Sequence, residues 1–95
     1  MFDVTPPSTP VRPTLTQRWP ETPTWAPLEC LLGEGRCADF MAMGEINQNE
    51  IVIYLYKHTF THRYLNLDND GNAYRFNNGA YDPITLTEAI HHAFS

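Results

Sequence analysis

One stretch of sequence, residues 51–56, decides the fold: it reads Ile51-Val52-Ile53-Tyr54-Leu55-Tyr56. β-Branched and aromatic residues fill every position, and these residue types fit the pleated surface of a sheet. Both faces of such a strand would be apolar, which is typical of a strand that has neighbours on either side. The stretch therefore predicts a central strand, and the rest of the domain must supply its partners.

Three neighbouring segments are suited to pair with this strand. Residues 37–46 contain the apolar run Phe40-Met41-Ala42-Met43, and the two segments that follow the central strand are residues 63–67 and 73–76. Between those two lies Asp68-Asn69-Asp70-Gly71, a hairpin signal because Gly71 can take a positive φ. The sequence predicts a four-stranded antiparallel meander.

Two short helices are predicted to flank the meander. Pro27 suits a first helical turn, and the leucines that follow place a helix at residues 28–33. Thr85 and Glu88 have the spacing of a capping box and open a second helix at residues 86–94. We therefore expect an α+β fold in which both helices pack chiefly on one face of the sheet.

The first 27 residues are predicted to form a Pro-rich extended arm, because seven of the eight prolines of this 95-residue chain lie there. Residues 28–95 would then be a single small domain. Trp19 and Trp25 are large apolar groups, so we expect both to be buried against the domain, with residues 1–14 mobile.

A three-residue loop, Thr59-Phe60-Thr61, would place Tyr56 opposite Tyr64 in the second hairpin, and the Gly71 hairpin would place Asn66 opposite Tyr74 and Tyr64 opposite Phe76. One face would then carry the aromatic side chains Tyr54, Tyr56, Tyr64, Tyr74 and Phe76, with His58 and His62 at its end. The other would carry Ile53, Leu55, Leu65, Leu67 and Ala73, together with Lys57, Arg63 and Arg75.

Size and charge limit the function. A chain of 95 residues has no room for a large enclosed substrate site, and its net charge of −5 opposes binding to nucleic acid. The first residues have neither the basic start nor the apolar core of a signal peptide, and no stretch is long enough for a membrane span, so we expect a cytoplasmic protein without membrane contact.

Few residues have the spacing that catalysis or metal binding requires. Residues 66–71 match the opening of a calcium loop, but Asn77 stands where the closing Glu is needed, so we expect no bound ion. His58 and His62 could share a metal, yet Cys30 and Cys37 lie six residues apart, too far for a usual zinc pair. The two cysteines could close a disulfide loop, but two reduced, buried thiols are the favoured interpretation. We expect no cofactor.

The favoured function is non-catalytic protein binding, as an inhibitor, adaptor or immunity-type protein of the kind that phages and mobile elements encode. Its partner would be a protein with a basic surface or a second copy of the chain, and the contact residues would be Tyr54, Tyr56, Tyr64, Tyr74 and Phe76. The alternative is a nucleic-acid or ribonucleoprotein accessory domain that uses Lys57, Arg63 and Arg75. A third interpretation is a small metal- or thiol-dependent enzyme.

Overall fold

Residues 15–95 are described by a computed structural model, and they form an α+β domain with one antiparallel sheet. The six strands, each paired with the next, are β1 (Leu15–Arg18), β2 (Phe40–Gln48), β3 (Ile51–His58), β4 (Tyr64–Leu67), β5 (Ala73–Asn77) and β6 (Ala80–Ile84). The helices are α1 (Ala26–Leu32) and α2 (Leu86–Phe94), and a 3-10 helix spans Glu34–Asp39. No helix among these residues is long and apolar enough to cross a membrane.

The prediction of four strands is wrong, because the sheet has six. The additional strands are β1, which lies within the predicted Pro-rich arm, and β6, which follows the turn Asn78-Gly79. Asn78 and Gly79 both have positive φ, as a two-residue hairpin that follows the strand twist requires. Helix placement also differs, since a strand precedes α1 and a 3-10 helix follows it.

The sheet curls strongly, because one side-chain amide on β2 reaches the backbone of β6. Four strand spacings separate β2 from β6, which in a flat sheet would be about 19 Å at roughly 4.8 Å each. Nevertheless the Gln48 Nε2 donates to the Tyr81 carbonyl at 2.9 Å, and the Tyr81 N–H donates to Gln48 Oε1 at 2.7 Å. The sheet is therefore a partly closed barrel with a concave and a convex face.

Each face of the sheet has its own apolar cluster. On the convex face the helices α1 and α2 cover a core formed by Leu28, Phe40, Tyr56, Leu65, Leu67, Ala73, Ala89 and Ala93. On the concave face Ile46, Ile53, Leu55 and Tyr74 are buried, with Leu15, Met43 and Tyr81 packed against them. Both faces of β3 are thus buried, which confirms the prediction that residues 51–56 form a central strand.

The predicted register of the second hairpin is wrong by one residue. Tyr56 lies opposite Leu65 and Lys57 opposite Tyr64, because the loop has four residues rather than three. His58 closes this loop: its N–H donates to the Arg63 carbonyl at 2.9 Å, and its own carbonyl accepts from the His62 N–H, with His62 at a φ of 62°. Because side chains alternate along a strand, a shift of one residue moves every side chain of β4 to the face of the sheet opposite the predicted one.

Two local predictions are confirmed. The residues Asp68-Asn69-Asp70-Gly71 turn between β4 and β5 with Gly71 at a φ of 85°, and Asn66 lies opposite Tyr74. Thr85 and Glu88 form the capping box at the start of α2, with the Glu88 N–H donating to Thr85 Oγ1 at 3.1 Å. Both signals are local in sequence, so they do not depend on the strand register.

Both tryptophans were predicted to be buried, and only Trp25 is, in part. Trp25 is half-buried and stacks on Tyr56 with 5.6 Å between ring centroids. Trp19, which follows β1, is 63% exposed, so its predicted burial is wrong. The predicted mobility of residues 1–14 lies outside the described residues, and the division into an arm and a domain at residue 27 stays a prediction.

Candidate functional site

A groove of about 1020 Å³ is lined by side chains of the concave face and also by α2, which packs on the convex face, so the groove reaches both faces of the sheet. Its lining is apolar on the sheet side and becomes polar and charged toward α2. The lining residues from the sheet side include Trp19, Met43, Ile46, Leu55, Tyr64, Asn66, Tyr74, Phe76 and Tyr81. Those toward α2 include His62, Arg63, Arg75, Thr87, Glu88, His91 and His92.

The groove exposes three aromatic side chains. Trp19 is 63% exposed, Phe76 is 55% exposed and Tyr64 is also exposed, and all three line this one groove. Phe76 packs against Tyr81 with ring centroids 5.0 Å apart, and burial raises the pKa of Tyr81. Exposed aromatic side chains grouped in this way are typical of a binding surface.

Gly44 determines where Trp19 lies. β2 and β3 change register between Ala42 and Glu45, and Gly44 in this bulge has a φ of 95°. A Cβ atom on Gly44 would lie 2.7 Å from the Arg18 carbonyl oxygen and 3.3 Å from the Trp19 ring. The absence of a side chain at Gly44 therefore lets the end of β1 approach closely and sets the indole at the mouth of the groove.

The floor of the groove contains a buried amide with an unused acceptor. Asn66 is 4% exposed and its Nδ2 donates to the Tyr74 carbonyl at 3.2 Å. Its Oδ1 has no hydrogen-bond partner among the described residues. A buried acceptor without a partner costs about 1–3 kcal/mol, so a donor at this position would be favourable.

Beside Asn66, a hydrogen-bonded carboxylate fixes the turn between β4 and β5. Asp68 accepts from the Tyr74 hydroxyl at 2.7 Å and from the Asp70 and Asn72 N–H groups, both at 2.9 Å. Burial by itself would raise the pKa of Asp68, but these hydrogen bonds outweigh it, so the pKa lies below its ordinary value. Burial together with the bond to Asp68 raises the pKa of Tyr74 to about 12. The turn is thus a rigid support for the groove floor.

The balance of charge in the groove lining differs from that of the chain as a whole. Arg63 and Arg75 outnumber Glu88 among the charged lining residues, although the chain carries a net charge of −5. Lys57 does not line the groove, and Arg63 and Arg75 belong to the opposite strand parity from Lys57 under the observed register. The predicted grouping of the three bases on one face is therefore wrong, but Arg63 and Arg75 both line the groove.

The five aromatic residues predicted to share one face divide between the two faces. Tyr64, Tyr74 and Phe76 lie on the concave face, while Tyr54 and Tyr56 lie on the convex face. Tyr56 is 1% exposed, and its hydroxyl donates to the Thr24 carbonyl. Burial raises the pKa of Tyr56. The side chain of Tyr56 is therefore part of the core.

The residues considered for metal or thiol chemistry do not form a common site within residues 15–95. His58 is buried between Phe40 and Phe94, and its Nδ1 accepts from the N–H groups of Phe60 and Thr61. Cys30 and Cys37 are free thiols, Cys30 being exposed against expectation. Burial raises the pKa of the Cys37 thiol, with Glu29 and Glu34 acting in the same direction. No three His, Cys, Asp or Glu side chains within residues 15–95 are grouped to hold a metal.

Sequence reasoning did not assign several residues to the groove: Trp19, Gln48 and Tyr81, and the α2 residues Thr87, Glu88, Ala89, His91 and His92. One signal was present, since Asn78-Gly79 between two strand-forming segments is typical of a two-residue hairpin and would have placed Tyr81 on a strand. The contact of Gln48 with β6 has no local signal, because it depends on the curl of the whole sheet.

Comparison of this chain with protein-family models, with curated proteins and with solved structures finds no match.

Proposed function

We propose that the protein is a non-catalytic protein-binding module that binds its partner through the concave groove. The observation that carries this proposal is the grouping of Trp19, Tyr64 and Phe76, exposed aromatic side chains that line one continuous depression. Aromatic side chains contribute a large share of the binding energy at protein interfaces. An inhibitor or adaptor role in the cytoplasm fits a module of this size.

The convex face is less suited to the same task. Helices α1 and α2 cover it, and Tyr54 and Tyr56 pack with the core beneath them. The aromatic side chains of the concave face, in contrast, border the open groove, to whose lining α2 also contributes. The contact residues of the proposal are therefore Tyr64, Tyr74 and Phe76 with Trp19.

A comparison of variants tests the proposal. Phe76→Ala and Tyr64→Ala remove groove side chains, whereas Phe60→Ala removes an 83% exposed ring that lies in a loop and does not line the groove. Each immobilised variant is incubated with lysate of the source cells, and the captured proteins are quantified by mass spectrometry. We expect at least one protein that Phe60→Ala retains and both groove variants lose. If every captured protein is retained equally by all three variants, the groove is not the binding surface.

A further inference from the structure

The ladder between β4 and β5 is short, and the two strands leave a seam in the sheet. Two residue pairs, Asn66 with Tyr74 and Leu67 with Ala73, form the described ladder. The expected third pair, Tyr64 with Phe76, is not formed there, and both of these residues line the groove. The seam between Tyr64 and Phe76 is therefore part of the groove.

Backbone groups on both sides face this seam. Hydrogen-bonded pairs alternate along an antiparallel ladder, and His58 bonds to Arg63, so Arg63, Leu65 and Leu67 direct their backbone groups toward β3. Tyr64 must then direct its N–H and C=O toward β5. The two-residue hairpin between Asn77 and Ala80 fixes β5 in the same way and directs the backbone of Phe76 toward β4.

The outer edge of β6 is, in contrast, already occupied. By the same alternation the backbone of Tyr81 points away from β5, and the Gln48 side chain satisfies both its N–H and its C=O. Pro83, the next residue of this edge, has no N–H to donate. An incoming strand would find backbone partners at the seam rather than at β6.

The two faces of the seam differ in chemistry. Tyr64 and Phe76 place aromatic side chains on the concave face, and their chain neighbours Arg63 and Arg75 point to the opposite face, because successive side chains of a strand alternate. A strand laid along the seam would alternate in the same way. Its side chains would meet aromatic rings at one position and arginines at the next.

We infer that the seam binds an extended peptide segment in which apolar and acidic side chains alternate. This inference rests on the proposed function and names the chemistry of the partner segment. The backbone of the segment pairs with Tyr64 and Phe76, and its acidic side chains pair with Arg63 and Arg75. Asn66 lies where the two strands begin to diverge, and its unused Oδ1 accepts a donor from the end of the segment.

A single-stranded nucleic acid would also meet arginines and aromatic rings here. The net charge of −5 opposes a polyanion, and Asn66 Oδ1 and the strand backbones offer partners suited to a peptide. The few acidic side chains of a peptide lie beside the two arginines, whereas a nucleic acid carries a phosphate at every nucleotide and meets the negative charge of the protein along its whole length. The observations therefore favour the peptide.

Fluorescence anisotropy with defined peptides tests the inference. The probe is a labelled octapeptide with two phenylalanines and two glutamates in alternation, flanked by glycine and serine. One control has the same composition with the phenylalanines adjacent and the glutamates adjacent, and another has lysines in place of the glutamates. We expect the alternating acidic probe to bind the full chain at least tenfold more tightly than either control.

Charge reversal in the protein makes the test stricter. Arg63→Glu with Arg75→Glu should weaken the acidic probe at least tenfold and strengthen the lysine probe, whereas Arg36→Glu, on the 3-10 helix outside the groove, should change neither. Circular dichroism of each variant checks that the fold is kept, and if the double variant is misfolded, the single variant Arg75→Gln is used.

Equal binding of the acidic and lysine probes overturns the inference while the proposed function stands, provided that capture in the lysate experiment depends on Phe76. Tighter binding to an oligouridine than to the peptide, lost in the double variant, overturns it in favour of nucleic acid. A dimer in sedimentation velocity that the double variant dissociates, together with no peptide binding, overturns it in favour of a second copy of the chain.

Discussion

At the scale of single residues, Asp68 illustrates how one buried charge supports the groove. Its carboxylate accepts hydrogen bonds from Tyr74, Asn72 and Asp70, and these outweigh burial and lower its pKa. A lowered pKa in the folded state stabilises the protein at pH values above the ordinary value of 3.8. This stabilisation is lost as the pH falls through the folded value.

We predict that Asp68→Asn lowers the free energy of unfolding by about 2 kcal/mol at pH 7, since hydrogen bonds to a charged acceptor are lost. The variant should also lose less stability than the wild type between pH 5 and pH 2. Asp70→Asn, which changes an exposed side chain of the same turn, is the matched control. Urea denaturation across this pH range measures both effects. An unchanged pH dependence in Asp68→Asn would contradict this assignment of the carboxylate.

Gly44 gives a second prediction at the residue scale. Gly44→Ala meets both a positive φ and a Cβ position 2.7 Å from the Arg18 carbonyl oxygen, so we expect a loss of about 2 kcal/mol or more. Gly71→Ala has a similar φ but open space around its Cβ, so we expect about 1 kcal/mol. Chemical denaturation of both variants separates backbone strain from close approach. Equal losses would show that β1 does not rest against Gly44.

At the scale of elements, the edge of β6 depends on β2. The Gln48 amide occupies the outward backbone groups of Tyr81 and holds the curled sheet together at this point. We predict that Gln48→Ala destabilises the domain by about 1–2 kcal/mol and removes the hydrogen-exchange protection of the Tyr81 amide. Gln17→Ala, an exposed glutamine on β1, is the control. Retained protection of Tyr81 in Gln48→Ala would contradict the described closure.

The elements also show which features the sequence could predict. Residues 51–56, the Gly71 turn and the capping box at Thr85 were predictable because each is decided by neighbouring residues. The register of β3 and β4 was not, because no residue from Thr59 to His62 specifies whether the loop has three or four residues; it has four, and His62 adopts a positive φ. That single residue moved Tyr64 away from Tyr56 and separated the predicted aromatic face into two.

At the scale of the whole molecule, curvature accounts for the candidate site. Helices α1 and α2 pack on the convex face, and the concave face closes partly on itself through Gln48 and Tyr81. The groove is lined by residues of the sheet, from Gln17 on β1 to Tyr81 on β6, and by residues of α2. These lining residues are far apart in sequence. Neither the groove nor its pair of arginines is therefore visible in any local pattern.

The central claim is that this groove binds an extended segment of alternating apolar and acidic side chains, and amide chemical-shift mapping during titration with the alternating acidic peptide tests it most directly. We predict that the largest shifts occur at Tyr64, Phe76, Tyr81 and the side-chain amide of Asn66. The amides of α1, on the convex face, should remain unchanged. Shifts concentrated on α1, or no shifts at peptide concentrations up to about 1 mM, a level that corresponds to a binding free energy near −4 kcal/mol, would contradict the claim.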